Sequence, residues 1–424
     1  MKNLLSRLNQ DIRLILKDIG NIADERGVAV FVVGGLVRDL ILGKENFDLD
    51  IVVEGDAITM AEAIAKRKKL EWVCYREFGT ATVIFSKGDR VDFATARKES
   101  YAHPGALPKV VAGSIHDDLF RRDFTINALA VRINPVRLGV LIDDFSGVQD
   151  LKAKRIRIMH DQSFIDDPTR ILRAIRFEQR FNFRIEKHSL NMLNLALSKK
   201  AFQTVKPERI FEEFRKMLSE GTPQKSLKRC DSLGALDFLG IKLKNLSESL
   251  RLMEKFSYSS RPLQKKLFKD NPIEAWLVYF MILVEHFGEK DLDTIFKRFN
   301  LKKIDRNKIA SSKQGHVVLK KLKAKRLSPS QIYRLLSPLS SEAISFLRIK
   351  AASHRILVRR IDQFFLNYRA VALSINGNDL INFGLSSGNR IGMILAQILD
   401  EKLDGLITTR EEEILRAKTL AVQG

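Results

Sequence analysis

Leu5, Leu8, Ile12, Ile15, Ile19 and Ile22 recur every three or four positions with charges between them. That period predicts an amphipathic helix at the start of the chain, not a signal peptide. From residue 28 the period changes. "VAVFVV" reads as a buried strand, Gly34-Gly35 as a tight turn and "LVRDLILG" as a short helix. "DLDIVVEG" is a second strand, "DAITMAEAIAKRKK" a helix opened by Asp56, and "LEWVCYREF", "TATVIFSKG" and "RVDFATA" are three more strands. Residues 1–145 are therefore expected to form an α/β domain around a mixed sheet. Beyond "VLIDDFSGVQDLKAKRIRIM" the strand signals fade, and helical patterns run on, punctuated by Gly221-Thr222-Pro223, Asn271-Pro272 and Ser328-Pro329.

Composition narrows the partners. The 424 residues carry a formal charge of +22, and the pI is near 9.9. A folded chain this basic repels itself unless a polyanion neutralises it, and nucleic acid is the usual polyanion; charge that merely aids solubility is the plainer alternative. The run at 302–326 adds to the total, although such runs are most often solvated helix faces. Two cysteines, Cys74 and Cys230, are too few for a disulfide framework or a thiolate metal site and suit a reducing compartment. No apolar run approaches bilayer length, so a soluble, cytoplasmic protein is expected.

Three clusters can carry chemistry. In the stretch "FVVGGLVRDLILGKENFDLDIVVEGD", side chains alternate along the second strand, so Asp48 and Asp50 share a face while Leu49 points to the core. Two neighbouring carboxylates call for a cation, and Mg²⁺, which keeps water sites open for a phosphate, suits them. The Gly34-Gly35 turn, with Arg38 in the helix behind it, offers an anion cradle beside that metal. The plainer reading makes Asp48 a turn residue and Asp50 a surface acid. Asp92 in "RVDFATAR" can supply a third carboxylate if its strand lies next to theirs. In "DDLFRRDFTINALAV", Arg121 and Arg122 are candidates for phosphate, and a helix would bring Asp123 and Asn127 together; Asp123 as a helix cap is the alternative.

"DDPTRILRAIRFEQRF" begins a helix at Asp167-Pro168 and carries Arg170, Arg173 and Arg176 as a basic stripe opposite Ile171, Leu172 and Ile175. Asp167 and Arg170 are three apart, an acceptor and a donor on one face. Cytosine and adenine both offer an amino donor beside a ring-nitrogen acceptor, which that pair can match. Guanine and uracil present the reverse pattern, and each group left unsatisfied costs about 1–3 kcal/mol. A capped helix with a salt-bridged arginine is the alternative.

Taken together, the clusters resemble the class II tRNA nucleotidyltransferases, the CCA-adding enzymes and their bacterial poly(A) polymerase relatives. "GGLVRD…DLD" is similar to the family's motif A, "RRDFTINALA" to motif B, "DDFSGVQDL" to motif C, "DDPTR" to motif D and "KPERIFEEFRKML" to motif E, over roughly residues 25–220. The resemblance implies an α/β nucleotidyltransferase head of the DNA polymerase beta-like superfamily (1–145), then a helical neck (146–220), body (221–330) and tail (331–424). It implies transfer of nucleotides from CTP and ATP to a tRNA 3′-hydroxyl, with two Mg²⁺ ions held by Asp48 and Asp50. Gly34, Gly35, Arg38, Arg121, Arg122, Asp123, Asn127, Asp167, Arg170, Arg173 and Arg176 would bind the nucleotide. A tail that grips the tRNA elbow would use Gly377, Gly388 and Arg390. The expected partners are the tRNA acceptor stem and elbow and nucleoside triphosphates, for a monomer or dimer with no membrane association.

Asp166 stands where motif D usually has glutamate. The segment 97–116, "RKESYAHPGALPKVVAGSIH", resembles the flexible loop that CC-only enzymes lack. That favours full CCA addition over CC addition and leaves A-only addition and poly(A) synthesis as alternatives. A non-catalytic RNA-binding protein on the same scaffold is the alternative from another class.

Overall fold

The computed structural model describes residues 4–44, 48–85, 89–267, 273–386 and 388–422, with the side chains of all but 257–267. The chain divides into two compact units, Met1–Met217 with Lys228–Phe238, and Leu218–Leu227 with Leu239–Gly424. The expected break at Asn271-Pro272 lies outside the described residues.

In the first unit, α1 (Gln10–Glu25) starts where the Asn9 side chain accepts the Ile12 N–H at 2.8 Å. Its buried stripe is Ile12, Leu16, Ile19 and Ile22; Ile15, expected in the core, is only half-buried because Leu16 takes the inward position. The chain continues through β1 (Ala29–Val33), α2 (Gly35–Ile41), β2 (Leu49–Glu54), α3 (Ala57–Lys68), β3 (Glu71–Tyr75), β4 (Thr80–Ile84) and β5 (Arg90–Thr95). A hairpin of β6 (Arg97–Ser100) and β7 (Lys109–Ala112) precedes α4 (Ile115–Phe120), β8 (Ala130–Arg132) and β9 (Leu141–Ile142). The strand expected over 70–78 stops at Tyr75, and Arg76–Phe78 form a 3-10 turn.

Seven strands make one sheet in the order β3-β4-β5-β2-β1-β8-β9. Only β2 and β5 run parallel, so the sheet is mixed, as the apolar pattern implied. Phe31, Val33 and Val52 from its strands pack with Leu119 of α4 and Ala128. Behind the sheet follow α5 (Gly147–Lys152), β10 (Arg155–Ile156), α6 (Ser163–Asp166), α7 (Thr169–Phe181), β11 (Arg184–Ile185), α8 (Lys187–Ser198) and α9 (Pro207–Leu218). Ile171, Leu172 and Ile175 of α7 are fully buried, as the helical period requires. Its basic stripe is not solvated: Arg170 and Arg176 are buried too.

The second unit is helical throughout its described residues. Helix Ala275–Leu283 is apolar on every side and buried from Trp276 to Leu283, which makes it the centre of that unit. Ser328 caps helix Pro329–Leu336, with Pro329 at its first position. Helices Gly377–Asn382, Asn389–Leu403 and Arg410–Val422 enclose a separate cluster that includes Ile375, Leu380 and Ile398. The fully buried Glu413 accepts the N–H groups of Ser374 and Ile375 and the Lys402 ammonium. Gly377 opens the first of those helices and Gly388 precedes the second. Arg390 donates to the Leu420 and Ala421 carbonyls, closing the last turn of the final helix. No helix among the described residues is long and apolar enough to cross a membrane.

Candidate active site

A cavity of about 800 Å³ opens in the first unit. Every sequence-predicted site residue of that unit except Asp92 lines it, from Gly34 and Gly35 through Asp48, Asp50 and Arg121 to Arg176. Its eight cationic side chains are all arginine, the planar donor suited to phosphate and base edges.

Asp48 and Asp50 lie at the start of β2, where the strand's alternation buries Leu49 and leaves both acids open. Although Asp50 opens onto the cavity, the surrounding protein strips it of solvent and raises its carboxyl above the ordinary range; Arg122 opposes the rise, and Asp92 and Asp48 add to it. A divalent cation would favour the ionised form of Asp50, and the exposed Asp48 and Asp50 carboxylates offer the oxygen ligands that suit magnesium. Asp92 is the in-register partner of Asp50 across the parallel β2/β5 pair. It lies outside the main cavity, in a neighbouring cleft, and accepts the Thr82 hydroxyl at 2.5 Å. Among the described residues no three acids, histidines or cysteines form a ready metal set, so Asp92 is adjacent to the acidic pair without being gathered into it.

Gly34 takes φ +64°, and a Cβ there would sit 2.5 Å from the Arg122 guanidinium. Glycine thus lets that arginine lie flat against the turn. The Gly34 N–H donates to the Leu129 carbonyl, which leaves the expected anion cradle to Gly35 and the arginines. Arg122 donates to Asp118 at 2.9 Å, while its buried Nε has no partner among the described residues. Arg121 donates to Asp118 and to Glu99. Burial pushes the Asp118 carboxyl up, but Arg122 and Arg121 outweigh it and hold the group ionised.

Asp123 and Asn127 meet as expected, though through an extended Phe124 and a 3-10 turn at Thr125–Asn127, not an α-helix. Asn127 donates to Asp123 at 2.8 Å and accepts from Arg38 at 2.6 Å. Arg38 is buried: it also pairs with Asp39, and its guanidinium lies 4.6 Å from the centroid of the Phe181 ring. It forms part of the cavity wall, held in place by these partners. Arg173 donates to Asp123 at 2.8 and 2.6 Å and to Glu213 at 3.2 Å, and Arg176 reaches Glu213 at 3.5 Å. The network therefore ties α2, α7 and α9 together behind the site.

Burial would raise the Asp123 carboxyl, but Arg173 and the Asn127 amide bring it down to about 2. A carboxyl lowered on folding stabilises above its unfolded value near 3.8 and loses that contribution as pH falls toward about 2. The shift is worth about 2 kcal/mol. Urea unfolding between pH 2 and pH 5 is expected to show Asp123→Asn losing less stability on acidification than the parent; parallel curves would refute the assignment.

Asp167 lies just before α7. Its Oδ1 accepts the Thr169 N–H and hydroxyl and meets Arg209 at 3.2 Å, while no hydrogen bond or ion pair engages Oδ2 among the described residues. Arg170 donates to the Ser163 hydroxyl and the Arg121 carbonyl, and both residues line the cavity. The Asp166 carbonyl accepts the Gly105 N–H at 3.1 Å, and its carboxylate lies 3.9 Å from His160 Nε2.

Sequence reasoning passed over Glu99, Tyr101, Asp118, Arg209 and Glu213. Glu99 and Tyr101 are two residues apart in "RKESYAH", a spacing that signals one strand face. The Tyr101 hydroxyl donates to Glu99 at 3.1 Å, and burial, against the pull of Arg170, pushes it up to about 12, so it is a neutral donor at the cavity edge.

Residues 30–157 match the poly A polymerase head domain, and residues 182–245 match the domain described as "Probable RNA and SrmB- binding site of polymerase A". The chain is 36% identical over 413 residues to an A-adding tRNA nucleotidyltransferase of Geobacter sulfurreducens, a match covering 96% of this chain and 47% of that protein. It spans about half the length of the curated relatives it matches. The solved structure of a CCA-adding enzyme in an apo form is similar with a TM-score of 0.75 at 35% identity, covering 98% of this chain and 96% of that one. A Thermotoga maritima CCA-adding enzyme complexed with tRNA is similar at 0.68 and 34%, over 99% and 97% of the two chains. CCA-adding enzyme structures with ATP and with CTP are similar at 0.74 and 0.72, at 34% and 33% identity and over 100% of this chain and 98% of each of those. A match of this extent to solved enzymes makes the chain a member of the tRNA nucleotidyltransferase and bacterial poly(A) polymerase family.

Proposed function

We propose that the protein is a template-independent tRNA 3′-terminal nucleotidyltransferase that adds CCA from CTP and ATP and releases pyrophosphate. One observation carries this reading: Asp48, Asp50, Asp167 and Arg170 line one cavity, so a triphosphate beside the acids can set its base against the pair on α7. Full CCA addition is supported by end-to-end similarity to CCA-adding enzymes. A-only addition is the second reading, favoured by the A-adding relatives, two of them roughly twice this chain's length. Residues 1–145 act as the catalytic head in this reading, and 146–220, 221–330 and 331–424 as neck, body and tail.

In the reaction the 3′-oxygen of the RNA bonds to the α-phosphorus as the bond to pyrophosphate breaks; the hydroxyl gives its proton to solvent, and pyrophosphate leaves with the electron pair. Asp48 and Asp50 would hold two magnesium ions, which when bound supply Lewis acidity to the hydroxyl and to the leaving group. Arg122 and Arg121, both lining the cavity, give the triphosphate a fixed cationic wall. Asp118 and Glu99 orient that wall, and the Arg173 bridge keeps Asp123 from drifting. Asp167 Oδ2 accepts the amino group of cytosine or adenine, and Arg170 donates to the ring nitrogen. Uracil and guanine would leave both unpaired.

Purified protein with tRNA transcripts lacking the last one, two or three nucleotides decides between the readings. Ordered incorporation of C, C and A into the shortest supports the proposal; extension of only the transcript that ends in CC establishes A-only addition. Arg170→Ala is expected to admit UTP and GTP roughly ten- to a hundredfold more readily relative to ATP, with tRNA affinity little changed. Unaltered discrimination would remove the base-reading role.

A further inference from the structure

The basic charge is not spread evenly over the second unit. Residues 313–360 carry twelve lysines and arginines against one carboxylate, Glu342, and that acid is buried and paired with Lys308. Residues 371–424, which hold Gly377, Gly388 and Arg390, carry five cationic residues against seven acidic ones. A phosphate backbone is attracted to the first segment and not to the second.

Within the first segment several cations are already committed. Lys313 donates to the carbonyls at Val284, Glu285 and Phe287, Arg334 pairs with Asp400, and Arg348 with Asp362. Lys320, Lys321, Lys323, Lys325 and Arg326 are exposed, and no carboxylate pairs with them among the described residues. They occupy the end of helix Gly315–Leu322 and the turn after it. Arg360, from helix Arg355–Gln363, donates to the carbonyls of Leu322, Ala324 and Lys325. It caps that helix and fixes the turn's backbone, so the lysines project from a rigid base. Arg355 and Arg359 sit one helical turn apart on the same helix, both exposed.

We infer that the Lys320–Arg326 turn, braced by Arg360 and extended by Arg355 and Arg359, is a phosphate-backbone contact for RNA, and that the acidic final segment is not the main electrostatic one. This rests on the reading of the protein as a tRNA nucleotidyltransferase. Such contacts fix position without reading sequence, which suits an enzyme that serves every tRNA.

The test is Lys321→Gln/Lys323→Gln/Lys325→Gln in the full chain, with tRNA binding followed between 50 and 300 mM salt and the KM for tRNA measured beside kcat and the KM for ATP. Exposed lysines without partners leave the fold alone, which an unchanged urea midpoint checks. The expected result is a tRNA KM higher by roughly ten- to a hundredfold, a salt slope reduced by about 2–3, and unchanged kcat and ATP KM. If the parent extends tRNA and the triple variant keeps its affinity and slope, the inference is overturned while the functional reading stands. The same holds if Arg390→Gln weakens binding and the triple variant does not. A parent that neither binds nor extends tRNA overturns the functional reading itself.

Discussion

Asp50→Asn, and separately Asp48→Asn, are expected to cut nucleotide incorporation by ~10³-fold or more while tRNA binding persists. Each substitution keeps the size of the side chain and removes half of the pair's negative charge, and a hard divalent cation depends on that charge. Burial, opposed by Arg122 and reinforced by Asp92 and Asp48, raises the Asp50 carboxyl, and a bound cation would favour its ionised form. Filter binding with tRNA separates loss of chemistry from loss of substrate. Turnover within tenfold of the parent for both variants would eliminate the acidic pair as the seat of reaction.

The second large effect is on stability. Arg173→Ala leaves the buried Asp123 without its cation, with the Asn127 amide beside it, and takes from buried Glu213 one of the cations it shares with Arg176 and Lys216. Removing one partner from a buried ion cluster typically costs about 3–5 kcal/mol, far more than any surface pair in this chain is worth. Urea denaturation at pH 7 should show the loss, and Arg173→Lys should recover only part of it, because one ammonium cannot reproduce the forked contact to Asp123. A change below about 1 kcal/mol would mean that the network behind the cavity relaxes freely and does not hold α2, α7 and α9 in place.

Local periodicity carried much of the fold. The switch from a repeat of three or four residues to continuous apolar runs at residue 28 located the first strand and the Asp48–Asp50 strand within a residue or two, because buried strands leave an unambiguous pattern. The spacing of Asp167 and Arg170 likewise put both on one cavity wall. Burial of the arginines on α7 was not legible. A basic stripe looks solvated until the partners of Arg170, Arg173 and Arg176 arrive from residues far along the chain, such as Arg121, Asp123 and Glu213. The partners of Arg38 were hidden for the same reason: Asn127 and Phe181 reach it only in the folded chain, where it lines the cavity. Asp118 left no signal at all, since one more acid in "HDDLF" resembles a helix-capping residue.

The pairing of Asp50 with Asp92 across two parallel strands constrains how descendants of this chain can change length. Inserting or deleting a single residue in β2 would turn Asp50 toward the apolar layer and bring a leucine or isoleucine to the open side. Two-residue changes would preserve facing but slide the acids along the strand by nearly 7 Å. Length variation is thus confined to the connecting segments, and the spacing between Asp48 and Asp50 is as much a heritable feature as their identity.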